Sequence, residues 1–279
     1  MKKSIPGWDL WCWRQKAQQQ AIAAGIPVRE VDWLLQELAG LDRLSLRLES
    51  FKDLPQVPLR CTPAELEILW QKRIQTRTPV QYLAGQTPWR DFSLTVSPAV
   101  LIPRPETECL VDLALDEIAR SQAVEPVLAS GLWADLGTGS GAIAIALARA
   151  LPQATLHAVD RSAAALAIAQ HNADQLSLTH RIHFHQGSWF EPIASLEGNL
   201  SGMVANPPYI PTAELSTLQP EVFQHEPHLA LDGGIDGLDC IRHLITTAPH
   251  FLQSGGIWLI EMMAGQANIV CQLLSDQGS

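Results

Sequence analysis

No stretch of this 279-residue chain approaches the roughly 20 consecutive apolar residues that a membrane helix needs. Two lysines follow Met1, but Pro6, Asp9 and Arg14 interrupt any apolar segment behind them, which excludes a signal peptide. Cysteine is scarce: Cys12, Cys61, Cys109, Cys240 and Cys271 make an odd set without C-x-x-C spacing. This reads as reduced, buried thiols in a cytoplasmic protein rather than a disulfide framework or a zinc site. Basic charge is also short, with 19 Lys and Arg against 29 Asp and Glu and a net charge of −10. A general nucleic-acid binder would carry a basic footprint instead. Internal repeats and low-complexity tracts are absent.

With 47% apolar and 17% charged residues, the chain can bury one sizeable core or two smaller ones. Residues 1–77 read as a small helical bundle. Val31, Leu34, Leu35 and Leu38 recur at helical spacing, and Thr62-Pro63-Ala64-Glu65 is a capping box with proline at the first helical position. Trp8, Trp11 and Trp13 read as core and packing residues. No catalytic group is visible in this part. Residues 78–105 change character: Phe92, Leu94 and Val96 alternate with polar residues between prolines, the pattern of a β-hairpin connector. An amphipathic helix then runs to about Arg120, and Ser121 to Gly131 reads as a loop.

From Leu132 the pattern alternates strand and helix. Strands are expected over Leu132–Leu136, Thr155–Val159, Ile182–Gln186, up to Ala205, and over Ile257–Glu261. Helices are expected over Ala142–Leu151, Ala163–Ala173 and Leu238–Phe251. This alternation predicts an α/β fold, a doubly wound, mostly parallel sheet with helices on both faces, occupying residues 106–279. His183 and His185 share a strand face; a metal pair and a solvated strand edge are the two readings, and no carboxylate is spaced to complete a metal site. Ile210 to Ile235 is a long loop, of the kind that is often functional.

Two motifs carry chemistry. Asn206-Pro207-Pro208-Tyr209 follows the fourth strand. The prolines have no N–H and fix their own φ, so the carbonyls here stand as rigid acceptors beside the Asn206 carboxamide. Such an array suits a substrate –NH2 group, although Asn-Pro and Pro-Pro also make ordinary stiff turns. Asp135-Leu136-Gly137-Thr138-Gly139-Ser140-Gly141 follows the first strand, and Asp160 closes the second. The glycines permit a sharp turn and close ligand approach, and the helix beyond offers its N-terminal N–H groups. Gly137, Gly139 and Ala142 also satisfy a dinucleotide fingerprint. Asp135 would repel a pyrophosphate there, whereas it would pair with an α-ammonium while Asp160 accepts ribose hydroxyls. A ligand with an amino-acid end and an adenosine end meets both acids, and S-adenosylmethionine is that ligand. Ligands of such sheets bind outside the carboxyl ends of the strands, so both loops would share one crevice.

On these residues the chain resembles the class I, Rossmann-like S-adenosylmethionine-dependent methyltransferases that carry an N-P-P-Y motif. More closely, it is similar to the peptide chain release factor glutamine methyltransferases. Pro79-Val80-Gln81-Tyr82 with Gly85, the run Ile102 to Glu108, Asp135 to Gly141, Asn206 to Tyr209, and Glu226-Pro227 through Leu238 stand in that family's order. The resemblance implies transfer of a methyl group to the side-chain amide nitrogen of the Gln in the Gly-Gly-Gln loop of translation termination factors. It implies cofactor contacts from Asp135, Gly137, Thr138, Gly139, Ser140, Gly141, Asp160, Trp189 and Asn206. Asn206, Pro207, Pro208 and Tyr209 would meet the glutamine. Trp189 would lie against the adenine, or serve as an ordinary core tryptophan. Release factors are the implied partners, with no metal, no membrane and no direct nucleic-acid contact, and the protein is expected to be a monomer with its helical domain adding recognition surface. The family's domain continues into a final β-hairpin near where Ser279 stands, so the fifth strand is expected as an apolar sheet edge. Two other functions compete: an adenine-N6 methyltransferase acting on a flipped base, and a non-catalytic module holding a translation partner.

Overall fold

The computed structural model describes residues 3–121 and 126–277. The chain forms two compact units: one runs through residue 86 and takes in 220–225, and the other holds the remainder. In the first, β1 (Ser4–Ile5) precedes α1 (Gly7–Ala23), α2 (Arg29–Ala39) and α3 (Arg43–Leu48). β2 (Val57–Pro58) returns antiparallel to β1, and α4 (Pro63–Thr76) and α5 (Val80–Ala84) follow. The α2 stripe of Val31, Leu34, Leu35 and Leu38 is buried, as its spacing dictates. Thr62 and Glu65 cap α4 reciprocally, at 3.2 Å and 2.7 Å. On α1 the inward face is Leu10, Arg14, Ala17 and Ala21. Trp8 lies two residues from Leu10, about 200° round the helix, so it is 57% exposed and stacked on Trp11 rather than in the core. Trp11 and Trp13 are half-buried at the margin.

This unit also buries charge. Arg73, 2% exposed, donates from Nε to Glu30 at 2.5 Å and from Nη2 to Glu221 at 2.8 Å. Arg77 reaches the same Glu221 oxygen at 2.7 Å. Glu221 lies on the helix Pro220–His225, so part of the stretch expected as the long loop Ile210–Ile235 is held as an element of the first unit. The rest is not free either: Thr212–Thr217 and His228–Ala230 form 3-10 turns, and Ile210 bridges to Asp232.

The second unit opens with a hairpin of β3 (Gln86–Trp89) and β4 (Phe92–Thr95), then α6 (Glu108–Ser121). Of the loop expected after it, residues 122–125 lie outside the described residues, and Pro126–Ala129 is a 3-10 turn. Next come β5 (Leu132–Leu136), α7 (Ala142–Ala150), β6 (Thr155–Asp160), α8 (Ala163–Gln175), β7 (Ile182–Gln186) and β8 (Leu200–Ala205). With Pro220–His225 counted as α9, α10 (Asp239–Phe251), β9 (Leu252–Ile260) and α11 (Ala267–Asp276) complete the chain. The five strands pair in parallel in the order β7-β6-β5-β8-β9. The doubly wound sheet read from the sequence is therefore present, and β9 stands at an edge. β9 starts five residues before its expected Ile257, because Ser254-Gly255-Gly256, which reads as a turn, is accommodated by a register shift against β8.

Strand side chains alternate between two cores. Trp133 packs with α6 and α7, while Ala134 and Leu136 pack with Leu244, Ala248 and Phe251 of α10. Trp133 is fully buried, and a Cβ on Gly202 of the neighbouring β8 would stand 2.5 Å from its ring. Gly202 is thus the partner that lets a tryptophan fit between two central strands. Among the described residues no helix is long and apolar enough to cross a membrane.

His157 of β6 joins His183 and His185 on one sheet face, its ring 5.2 Å from each, with His157 Nδ1 and His185 Nε2 3.0 Å apart. The rings stack rather than converge, and no group of the described residues forms a metal-ligand set. Burial, helped by the two neighbouring imidazoles, pushes His157 down to about 4, and His185 is lowered for the same reasons.

Two outcomes follow from this packing. Gly202→Ala is expected to cost about 1–3 kcal/mol through overpacking, read as a lower urea midpoint. His157 and His185 stay neutral in the fold while in the unfolded chain they protonate near the usual 6.5. Their contribution is therefore intact above that value and is lost as pH falls toward 4. The wild-type urea midpoint should fall further between about pH 7.5 and about pH 5 than that of His157→Gln, a comparison that cancels carboxylates titrating in the same range.

Candidate active site

β5 and β8 are neighbours, with Leu136 opposite Ala205, and the strand order reverses between them. A crevice opens at that point in any doubly wound sheet. Here it is a cavity of about 480 Å³ lying wholly within the second unit. Gly137, Thr138, Gly139 and Ser140 line it beyond β5, Asp160 beyond β6, Trp189 beyond β7, and Asn206 and Pro208 beyond β8. Eight of the residues singled out from the sequence thus meet at one wall.

The glycine turn is built tightly. Gly137 and Thr138 donate to Val159 O at 2.9 Å each, and Gly139 N donates to Asp160 Oδ2 at 2.8 Å. Gly137 has φ +81, which favours glycine at this turn, and the Trp189 ring lies in ordinary contact range, 3.5 Å from where a Cβ would stand. Asn172 of α8, 1% exposed, fixes the turn from behind. Its Nδ2 donates to Ser140 O at 2.9 Å and to Thr95 O at 3.0 Å, and its Oδ1 accepts from Thr95 N at 2.7 Å.

Four singled-out residues stand behind the wall. Asp135 is fully buried; its Oδ2 accepts from Thr138 Oγ1 at 2.6 Å and from Ala144 N at 3.0 Å, while Oδ1 has no partner. One N–H that the sequence left to a ligand at the start of α7 is therefore taken by this acid. Gly141 caps α7, and a Cβ there would stand 3.1 Å from Ala169. Pro207 is buried. Tyr209 turns toward β9, donating from its hydroxyl to Glu261 Oε1 at 3.1 Å, and burial with that neighbouring carboxylate raises it to about 12. Its carbonyl, with that of Gly237, accepts from Gln266 Nε2.

Burial dominates the electrostatics. It pushes Asp135 up to about 6 against the pull of its two hydrogen bonds, with Asp160 adding repulsion. Asp160 is raised by burial too. Two desolvated acids beside one cavity, one with an unpaired oxygen, favour a cationic ligand, because a nearby positive charge restores the ionised form.

Sequence reasoning assigned no role to Arg104 and Thr107, which also line the cavity, or to Glu226, which Arg104 holds. Arg104 Nη2 donates to both oxygens of Glu226 at 2.8 Å, and Glu226 is 4% exposed. Arg104 O accepts from Trp89 Nε1 at 3.0 Å. Thr107, 5% exposed, accepts from Asn206 Nδ2 at 3.1 Å. The available signal was Arg104 held between Pro103 and Pro105, a rigid segment with a charged residue inside it.

The family model of a methyltransferase small domain matches residues 120–235. Release factor glutamine methyltransferase of Synechocystis sp. is 49% identical over 278 residues, covering 100% of this chain and 92% of that protein. The proteins of the same name from Gloeobacter violaceus and Thermosynechococcus vestitus are each 48% identical. They cover 94% and 88% of this chain, and 87% and 82% of their own lengths.

Asn172→Leu would strip partners from three buried backbone groups and should cost at least about 2 kcal/mol, measured by chemical denaturation. An unchanged midpoint would show that Asn172 does not carry the turn.

Proposed function

The chain belongs to the release factor glutamine methyltransferases, and on that premise we propose how its residues divide the work. The enzyme transfers a methyl group from S-adenosylmethionine to the side-chain amide nitrogen of a release factor glutamine, the Gln of the Gly-Gly-Gln motif of translation termination. The observation that carries the residue assignment is that the glycine turn after β5 and Asn206 after β8 line one cavity.

The site fits the cofactor on two counts. Asp135 holds an unpartnered buried oxygen beside a second desolvated acid, which suits an ammonium group. The cavity volume lies in the range of small-molecule sites. Gly137, Thr138, Gly139 and Ser140 would hold the amino-acid end, with Asp135 lending negative charge from behind them, Asp160 would hold the ribose, and Trp189 the adenine. Gly141 contributes by capping α7. When bound, the cofactor supplies an electrophilic methyl group on a sulfonium that is already a good leaving group.

The chain's own residues then have to solve one problem. A primary amide nitrogen is a poor nucleophile because its lone pair is delocalised into the carbonyl. Asn206 Oδ1 and the Pro207 carbonyl would each accept one N–H hydrogen of the substrate. That draws the nitrogen toward pyramidal geometry and aims the lone pair. Pro208 keeps the segment rigid, and Tyr209, anchored to Glu261, fixes its far end. Positioning and fixed dipoles supply the acceleration. The nitrogen gains a methyl and loses one proton, which leaves to solvent. No residue has to act as a strong base.

The partner is a protein, and we assign no nucleic-acid substrate: the net charge of −10 opposes the backbone contacts an adenine methyltransferase needs. The same reading places the enzyme in the cytoplasm as a monomer.

Asn206→Ala should abolish methylation, read as loss of the mass shift on the glutamine peptide of a release factor, with cofactor affinity kept by calorimetry. Asp160→Ala should instead weaken cofactor binding by about 10-fold or more; an unaltered dissociation constant would remove Asp160 from the ribose site.

A further inference from the structure

We propose that Thr107 is a positioning residue for the methyl transfer: its hydroxyl holds the Asn206 carboxamide with the oxygen, rather than the NH2, toward the substrate amide. The inference rests on the reading of Asn206 as an acceptor for that amide.

Asn206 follows β8, and the six buried residues of that strand fix its backbone. Its side chain is freer, because the terminal torsion of asparagine is broad and two-fold. The two orientations have opposite chemistry. With the oxygen forward, the side chain accepts a substrate N–H. Turned by 180°, it points donors at donors, and the substrate amide loses the acceptor that aims its lone pair. Shape cannot separate two orientations with nearly the same outline, so a polar partner has to do it.

Thr107 supplies that partner. It closes the 3-10 turn Pro105–Thr107, where Pro105 sets the entry and Thr107 N donates to Arg104 O at 3.2 Å. Its side chain is 5% exposed, and its Oγ1 accepts from Asn206 Nδ2 at 3.1 Å. A hydroxyl can also donate, so Thr107 alone does not forbid the turned form. It makes the productive form fully satisfied: Nδ2 bonds to Thr107, and Oδ1 is left for the substrate. Without the hydroxyl, whichever end of the carboxamide turns inward faces apolar surface, so the side chain leaves that seat and its oxygen is no longer held for the substrate.

The test compares Thr107→Val, which keeps the shape, with Thr107→Ser, which keeps the hydroxyl, and runs Asn206→Ala in parallel. Release factor methylation by Thr107→Val should fall about 10- to 100-fold in kcat. Its cofactor dissociation constant should stay within about twofold and its melting temperature should hold. Thr107→Ser should restore most of the loss. If Thr107→Val does not fold, Thr107→Ala takes its place in the same comparison. Wild-type kcat in Thr107→Val beside an inactive Asn206→Ala overturns the inference alone, as does an equal loss in Thr107→Ser. A loss that tracks cofactor affinity or melting temperature also overturns it. Activity retained by Asn206→Ala removes the reading on which it rests.

Discussion

Leu136 lies opposite Ala205 in the parallel pair β5–β8, and the site follows from that register. A parallel strand delivers whatever comes next in sequence to the same end of the sheet as its neighbours. Fixing one residue pair therefore sets the glycine turn and Asn206 side by side. A slip by one residue would reverse which side chains face each core, so the register is enforced by burial. Trp133 must meet Gly202, and Leu136 must meet the core under α10. The residues that specify the fold are in this sense the ones that specify the site, although none of them touches the cavity.

Strands bring the loops to the right place but do not hold their shape. That falls to a few buried polar side chains. Asn172 ties the glycine turn to β4, and Gln266 ties the carbonyls of Tyr209 and Gly237 while its own oxygen accepts from Met263 N. Fully bonded amides of this kind rigidify because any displacement leaves several groups unpaired at once. Asp135 is the exception, with one oxygen bonded twice and the other not at all. Glu261, which holds Tyr209, likewise keeps one buried oxygen without a partner, so the acids around this end of the sheet are less completely bonded than the amides.

Much of this was legible in the sequence, for reasons that differ by element. β5 and β7 were placed to the residue, β5 by its largely apolar run Leu132 to Leu136 and β7 by the alternation of Ile182 and Phe184 with His183 and His185. The capping box at Thr62 was legible because both its bonds are local. Trp8 was misplaced because size suggested burial, whereas the helical phase set by Leu10, Arg14, Ala17 and Ala21 decides it. The early start of β9 was hidden by two glycines, and Pro220–His225 was read as loop because its partners, Arg73 and Arg77, lie more than 140 residues earlier in the chain. Thr107 escaped for the same reason: its partner is 99 residues away.

The segment that carries Glu221 alternates between the two units along the chain. Its flanks belong to the second unit, where Thr212 N donates to Gly234 O and Glu226 accepts from Arg104. Its middle belongs to the first, through Glu221 with Arg73 and Arg77 and through His225 with Thr76 O. The chain passes from the second unit into the first at Pro220 and returns at Glu226. Pro227, Leu229 and Ala230, just after that return, line the cavity. Breaking a charge pair as buried as that of Arg73 leaves a guanidinium uncompensated, which costs far more than an exposed pair contributes.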